Sequence, residues 1–389
     1  MKKIRTYNTI ASKGLERFSR DSYEVASEIS QPDAFILRSQ KLHDEVIPES
    51  TLAIARAGAG TNNVPVEKCS KQGVVVFNTP GANANAVKEL VLTALLLSSR
   101  GVRQGVEFVQ GISPDMPANE LSKYLEAEKK RFKGSEIAGK TLGIVGLGAI
   151  GSMVANMALA LDMNVVGYDP ALSIEAAWRL SSDVEKMDNL ASLLSRSDFV
   201  SLHVPAIEAT HHMISKESLA SAKKGLCLLN FAREEIVDTD AVIEALDAGK
   251  LGRYVTDFPT PSLLGRDDAL LMPHIGASTG EAEENCAVMA ANQLIDFLEN
   301  GNIRNSVNFP AAKMQRTGGS RITLSNENVA GVLGHVLSVL ADASINVIDM
   351  LNKSRGDLAY NILDVEQTPS DDVIAKLRGV EHVINVRVI

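Results

Sequence analysis

The chain is short of aromatic residues, of cysteine, of long apolar runs and of positive charge, and each shortage narrows what it can be. Phe, Tyr and Trp together make up 4% of its 389 residues, so the cores must be built mainly from Val, Ile, Leu, Ala and Met. The three cysteines, Cys69, Cys227 and Cys286, include no CxxC pair. That argues against a disulfide framework and for free thiols in a reducing cytoplasm. No apolar run approaches the ~18 residues that a membrane span requires. The longest, Leu90 to Leu97, follows Lys88-Glu89, and Arg5, Asn8, Lys13 and Glu16 stand where a signal peptide would carry its apolar core. Against 48 Asp and Glu there are 39 Lys and Arg, a net charge of -9. That field is the wrong sign for a nucleic-acid partner, and an anionic substrate would need cations gathered locally against it.

What the chain does have is strand–helix alternation. From Lys140 to Ala277, short apolar runs (Thr141–Val145, Val165–Tyr168, Phe199–Val204, Leu226–Leu229, Val255, Leu270–Met272) alternate with helical segments, among them Ile150–Leu161. A further helix starts at Asp238-Thr239-Asp240 and stops at Gly249, as capping rules expect. This pattern predicts a doubly wound parallel sheet with right-handed crossovers. Residues 1 to about 100 predict a second α/β region, with strands at Ala34–Leu37, Leu52–Ala55 and Val74–Phe77, helices between them, and a long helix over Ala84–Ser99. Residues 311–320, with Gly318-Gly319, read as a flexible linker. Residues 321–389 then alternate strand, helix, strand, strand, helix, strand, the split βαβ order of a small α+β domain with one open sheet face.

Gly146-Leu147-Gly148-Ala149-Ile150-Gly151 follows a predicted strand and opens a predicted helix. In that context the GxGxxG spacing is a dinucleotide fingerprint: Gly146 for the tight turn, Gly148 for close approach of the pyrophosphate, Gly151 for helix–sheet packing. The helix N-terminus at Ala149 and Ile150 offers free N–H groups to phosphate. Asp169 ends the next strand, where a carboxylate would meet ribose hydroxyls and repel a 2′-phosphate, so NAD is expected over NADP. The bland alternative is a glycine-rich turn beside a surface aspartate.

Oxidising a carbinol needs a base for the hydroxyl proton and a cation for a neighbouring carboxylate. His274, in Pro273-His274-Ile275-Gly276, is singled out as the histidine directly after a strand of the sheet. Arg233, in Asn230-Phe231-Ala232-Arg233, follows another strand at the carboxyl edge, where α/β sheets place their ligands. By spacing alone, a capping or core histidine and a surface ion pair explain these two as well. His211-His212 lacks companions at metal-ligand spacing and reads as surface.

These segments, with Leu37-Arg38-Ser39, Ala57 to Asn63, Asn78 to Asn83 and Ser306 to Pro310, resemble the D-isomer-specific 2-hydroxy acid dehydrogenases along essentially the whole chain. The resemblance implies a flavodoxin-like substrate domain from residues 1–95 and 277–310, a Rossmann-type NAD domain over 96–276, and a C-terminal ferredoxin-like domain similar to ACT modules over 321–389. It implies a cytoplasmic homodimer or homotetramer that oxidises a small phosphorylated 2-hydroxy acid, 3-phospho-D-glycerate, with NAD. Arg233 would bind the substrate carboxylate, His274 would be the acid/base, and Asp257 would meet the nicotinamide carboxamide. Arg38, Ser39, Arg56 and Asn83 would recognise phosphate and carboxylate, and Lys130 or Arg131 would reach a neighbouring subunit's site. Asn326, Asn328 and Asn346 fall where relatives bind an amino-acid effector, serine being the expected one. An ACT module serving only to pair subunits is the alternative.

Two departures stand out. The family's Glu, five residues after the Asp257 equivalent, is absent from Asp257-Phe258-Pro259-Thr260-Pro261-Ser262, leaving Asp267 or Asp268 as substitutes or His274 without a carboxylate. The usual Arg-Gly step is Arg233-Glu234. Competing readings are a dehydrogenase for glycerate, lactate or hydroxypyruvate, disfavoured by Arg38 and Arg56, and a non-catalytic NAD sensor, disfavoured by the retained His274 and Arg233.

Overall fold

A computed structural model describes residues 1–389 apart from the side chain of Glu175. The chain divides into two compact units, Met1–Asn83 with Gly280–Ile389, and Ala84–Thr279.

The first unit opens with strands β1 (Lys2–Thr6), β2 (Tyr23–Ala26), β3 (Ala34–Leu37), β4 (Ala53–Arg56) and β5 (Val75–Phe77), all parallel in the order β2-β1-β3-β4-β5. This is the flavodoxin-like order. β3 and β5 are buried at every residue, as strands covered on both faces must be. The helix Gly280–Asn300 covers one face, setting Ala287, Ala290, Leu294 and Phe297 against Ile4, Ile36, Ala55 and Phe77. Gly14 lets the short helix Ser12–Leu15 lie against it, since a methyl there would come 2.5 Å from Ala287 Cβ. Of the helices expected between strands, Val66–Lys71 lies between β4 and β5, but residues 38–52 contain none. Pro48 interrupts that segment, and the Asn63 side chain organises it instead, donating to the carbonyls of Arg38 (3.2 Å) and Gln40 (2.7 Å).

The second unit is built on strands β6 (Thr141–Val145), β7 (Asn164–Tyr168), β8 (Glu185–Lys186), β9 (Phe199–Leu202), β10 (Leu226–Asn230), β11 (Leu251–Thr256) and β12 (Ala269–Leu271). They run parallel in the order β12-β11-β10-β9-β6-β7-β8. The order reverses between β6 and β9, the topological switch point of a Rossmann sheet. The helix Ala84–Ser99 belongs wholly to this unit: Val87, Val91, Ala94 and Leu95 form one apolar stripe against Leu142, Ile144 and Leu229. The unit boundary therefore falls at Ala84 rather than near residue 95. Two helices that the sequence analysis did not anticipate, Val102–Gln110 and Ala118–Glu128, bury no residue.

The first unit resumes with an antiparallel sheet of β13 (Ser320–Glu327), β14 (Val347–Arg355), β15 (Leu358–Val365) and β16 (Val383–Val388), in the order β14-β15-β13-β16. With the helices Val332–Asp342 and Asp371–Arg378 on one face, this is the split βαβ topology. The other face is not open. Tyr360 and Ile362 pack with Phe297, Ile303, Phe309 and Met314 in the core of the first sheet's helix. Nor is 311–320 a free linker, because Ala312 exchanges backbone hydrogen bonds with Ile303 and both Ala312 and Met314 are buried.

A buried ion pair completes this junction. Arg321 donates from Nε and Nη2 to Asp364 at 2.6 and 2.8 Å, and from Nη1 to the carbonyls of Asn300 (2.9 Å) and Met314 (3.0 Å). Asp364 also accepts from the backbone and hydroxyl of Thr317, each at 3.0 Å. Burial pushes the Asp364 carboxyl up, but Arg321 and Thr317 outweigh it and hold it below the usual range. Removing one member of such a pair strands the other charge, whereas an apolar replacement of both is far milder. Arg321→Ala should therefore cost about 3–5 kcal/mol in urea unfolding, and Arg321→Met with Asp364→Leu much less. Equal losses in the two variants would show that the pair itself is not the stabilising element.

Candidate functional site

The carboxyl end of β6 carries the glycine loop. Gly146 has φ +89°, and a Cβ there would lie 2.6 Å from the His203 carbonyl; one on Gly151 would lie 1.9 Å from the Gly146 carbonyl. Gly148 differs, because its missing Cβ would meet only open space. The helix Ala149–Leu159 begins there with no side-chain cap, so its first-turn N–H groups are left for a ligand. Asp169, just past β7, accepts from the backbone of Leu147 (2.8 Å) and Ala171 (2.9 Å), one bond to each oxygen. A carboxylate oxygen has a second lone pair, so the acceptor for ribose hydroxyls remains. These features fit a dinucleotide.

Farther along the same edge stand Arg233, Asp257 and His274, after β10, β11 and β12. The Asn230 side chain fixes the Arg233 loop, donating to the Arg233 carbonyl (2.8 Å) and accepting from Ala232 N–H (3.1 Å). The exposed Arg233 side chain bonds the Ala232 carbonyl at 2.6 Å. Asp257 is 1% exposed; its Oδ2 accepts from Gly276 N–H at 2.8 Å, and its buried Oδ1 has no partner. Burial raises its pKa, while the Gly276 N–H and the charges of His274 and Arg233 pull it back. His274 is exposed and left-handed (φ +48°), an uncommon conformation for a residue with a side chain. Its N–H donates to the Asp257 carbonyl at 2.8 Å, and its ring lies 4.8 Å from that of Phe258.

His203 escaped the sequence reading because it fell inside the run Phe199–Val204 read as a strand; β9 ends at Leu202, so His203 directly follows it. It borders the switch point, donating its backbone N–H to Val145 at 2.7 Å, with Nε2 2.9 Å from Ser201 Oγ. Its Nδ1 is enclosed without a partner, and burial depresses the ring pKa to about 3. His211 and His212 stack at 4.0 Å on the surface, and among the described residues no His/Cys/Asp/Glu group could hold a metal.

In the first unit, Arg38, Ser39, Arg56 and Asn83 all lie at or beyond the carboxyl ends of β3, β4 and β5. Arg56 Nε donates to the Arg38 carbonyl at 3.1 Å, and its guanidinium occupies the space a Cβ on Gly58 would need. Arg38 pairs with Glu283 at 2.8 Å, and Ser39 N–H is held by the Asn8 side chain at 3.0 Å. Asn83 is half-buried in the turn after β5.

Residues 112–276 match the NAD-binding domain of D-isomer-specific 2-hydroxyacid dehydrogenases. The D-3-phosphoglycerate dehydrogenase of Methanocaldococcus jannaschii is 34% identical over 88% of this chain and 63% of its own length. That of Escherichia coli is 31% identical over 95% of this chain and 90% of its own. The NAD+-bound 3-phosphoglycerate dehydrogenase of Entamoeba histolytica superposes on 79% of this chain and 98% of its own, with a TM-score of 0.61 and 27% identity. This chain belongs to the D-3-phosphoglycerate dehydrogenase family. It is an NAD-dependent oxidoreductase.

Against the family pattern, the structure decides what replaces the absent glutamate. Arg266 grips Asp268 with two bonds of 2.8 Å, holding its carboxyl below the usual range, and also bonds Asp247 at 2.7 Å. Asp267 is exposed with no hydrogen bond, and among the described residues no carboxylate bonds the His274 ring. Neither aspartate serves as the missing partner. The candidate effector residues also separate within one chain. Asn326 and Asn328 lie at the end of β13, while Asn346 precedes β14 and lies at the opposite end of the sheet.

The depressed His203 pKa carries a pH consequence. The unfolded ring titrates near its ordinary ~6.5 and the folded ring near 3. Between these values only the unfolded chain takes the proton, so stability falls as pH drops below about 6.5. The loss should reach at most about 1.4 kcal/mol per pH unit, and His203→Asn should flatten urea-unfolding curves measured from pH 7 to 4.5. An unchanged slope in the variant would mean that other groups set the acid sensitivity.

Proposed function

We propose that this enzyme oxidises the C2 hydroxyl of 3-phospho-D-glycerate, with His274 taking the hydroxyl proton and Arg233 holding the substrate carboxylate. The observation that carries the reading is that Arg233, Asp257 and His274 follow β10, β11 and β12 at the edge that bears the glycine loop, with Asp257 buried, bonded to Gly276 N–H and left with a free Oδ1. NAD, when bound, supplies the hydride acceptor. The helix N-terminus at Ala149 and Ile150 would hold its phosphates, Asp169 its ribose, and the unpartnered Asp257 Oδ1 a carboxamide N–H. Arg233 offers a planar fork that matches a carboxylate bidentately. His274 is exposed and can accept a proton from an alcohol and release it to water. Arg38, Arg56, Ser39 and Asn83, at the carboxyl edge of the first unit's sheet, would supply the cations and polar groups that a phosphorylated tail requires.

Self-association is part of this reading. The helix Val102–Gln110 buries nothing, and Val102, Val106 and Val109 on it are each about half exposed. Such a stripe suits a second copy of the chain, with Arg131 lying over the Phe108 ring of the same helix and Lys130 preceding it. The edge strand β14 is likewise exposed along most of its length. Antiparallel pairing of two β14 edges about a two-fold axis would set Asn346 of one copy near Asn326 and Asn328 of the other. That is a place for an amino-acid effector such as serine. The buried free thiols of Cys69, Cys227 and Cys286 are consistent with a cytoplasmic location.

NADH absorbance with 3-phospho-D-glycerate, D-glycerate and D-lactate at alkaline pH tests the reaction. Turnover of the phosphorylated acid alone is expected; no turnover by a protein that still binds NAD would overturn it. His274→Asn, chosen because Asn tolerates the left-handed backbone, should lower kcat by roughly 10²–10⁴-fold. Arg233→Gln should lower kcat/KM by roughly 10²-fold or more. Asp268→Asn should stay within roughly ten-fold of wild type.

A separate measurement addresses assembly. Val106→Asp with Val109→Asp should shift the enzyme toward monomer in light scattering. An unchanged mass would place the contact between copies elsewhere.

A further inference from the structure

The amino ends of β6, β9, β10 and β11 frame a cavity of about 280 Å³ at the sheet edge opposite the glycine loop. The intervening strands are about five residues long, or roughly 17 Å, so this cavity is separate from the cofactor edge. Its walls are cationic in a chain whose overall balance is -9. Lys140, Lys223, Lys224 and Arg253 line it, with Asp198 as the only acid. Asp198 is already committed, bonding Lys223 at 2.6 Å and the Thr141 N–H at 2.9 Å.

Three cations are thus left over. Lys140, Lys224 and Arg253 make no side-chain hydrogen bond or ion pair among the described residues, though the Arg253 charge is felt by Asp268 and Cys227. Arg253 is half-buried, with its guanidinium nitrogens open to the solvent that fills the cavity. Its position is set by a register shift between β10 and β11, which pairs Leu226 with Leu251 but Cys227 with Arg253. The cavity also holds hydroxyls: Ser98, whose buried Oγ lies against the Cys227 thiol, and Ser135 both line it. Converging cations with hydroxyl donors are the chemistry of an oxyanion site. The volume is too small for a nucleotide and ample for one tetrahedral anion with a few waters.

We infer that this cavity is a binding site for a phosphate-type dianion, separate from the catalytic edge, with Arg253, Lys140 and Lys224 as its cations and Ser98 and Ser135 as hydroxyl donors. The position gives the site a consequence. Ser99 and Ser135 are the two roots of the excursion that carries the exposed helices, tied by a bond of 2.9 Å from Ser135 N–H to the Ser99 carbonyl. An anion here clamps both roots to the sheet and neutralises the charge that crowds them.

The test is thermal unfolding of the full-length, NAD-free enzyme with inorganic phosphate or glycerol 3-phosphate, against sodium chloride at matched ionic strength. A saturable Tm rise of roughly 2–4 °C at about ten times Kd is expected. Each variant is compared with itself without phosphate. The rise should be lost in Arg253→Gln and in the exposed Lys224→Gln, and kept in Arg38→Ala, which removes a cation of the substrate edge. A stronger response to glycerol 3-phosphate than to phosphate would identify an organic phosphate as the ligand, and the reverse the free ion. A rise equal to that in chloride, one unchanged in both cavity variants, or one abolished by Arg38→Ala would overturn the site.

Discussion

Arg321 and Asp364 face each other on adjacent strands, and the first unit's two sheets hang together on what that pair reaches. A buried guanidinium is tolerable only when its donors are met, and here a carboxylate and two backbone carbonyls meet them. One of those carbonyls, Asn300, ends the helix that covers β3 and β4. The first turn of the same helix carries Glu283, the ion-pair partner of Arg38. The C-terminal sheet is therefore built against the same rigid rod that sets a residue of the proposed phosphate site. Tyr360, donating to the Gly301 carbonyl at 2.8 Å, and Arg387, donating to that of Phe297 at 2.6 Å, repeat the contact on either side.

The second unit solves a different problem, which is how to bring cations to an anionic substrate in an acidic protein. Both of its cationic groupings sit at sheet edges, where side chains leave the strands and can converge. The carboxyl edge holds Arg233 and His274 around one buried carboxylate. The amino edge holds Lys140, Lys224 and Arg253 around a cavity. The sheet keeps these groupings a strand's length apart, so the substrate and the dianion proposed for them would bind independently.

Much of this was legible because the signals are local. Buried parallel strands appear as short apolar runs, and the Ala84–Ser99 and Thr239–Asp247 helices fall where periodicity and caps put them. The glycine loop was readable because its spacing between a strand and a helix is itself a local pattern, although the steric demand on Gly146 comes from His203 and Gly148 faces open space. What was not legible depends on partners distant in sequence. β1 carries a single fully buried residue, Ile4, and becomes a central strand only through β2 and β3. The polar, glycine-containing segment 311–320 looked flexible because nothing local shows that Ala312 and Met314 meet residues of the first sheet's core. His203 was hidden inside a run that read as strand, and nothing in the spacing shows that Arg266 holds Asp268 and so keeps it from the place of the absent glutamate.

The excursion between Arg100 and Gly134 has two helices and no buried side chain of its own in them. A helix of about ten residues is marginal in water, so its order is borrowed from whatever shelters Val102, Val106 and Val109. This stretch should act as a reporter of the enzyme's surroundings. If copies pair through this stretch as proposed above, a protease should cut it first in dilute solution and more slowly at concentrations at which copies meet.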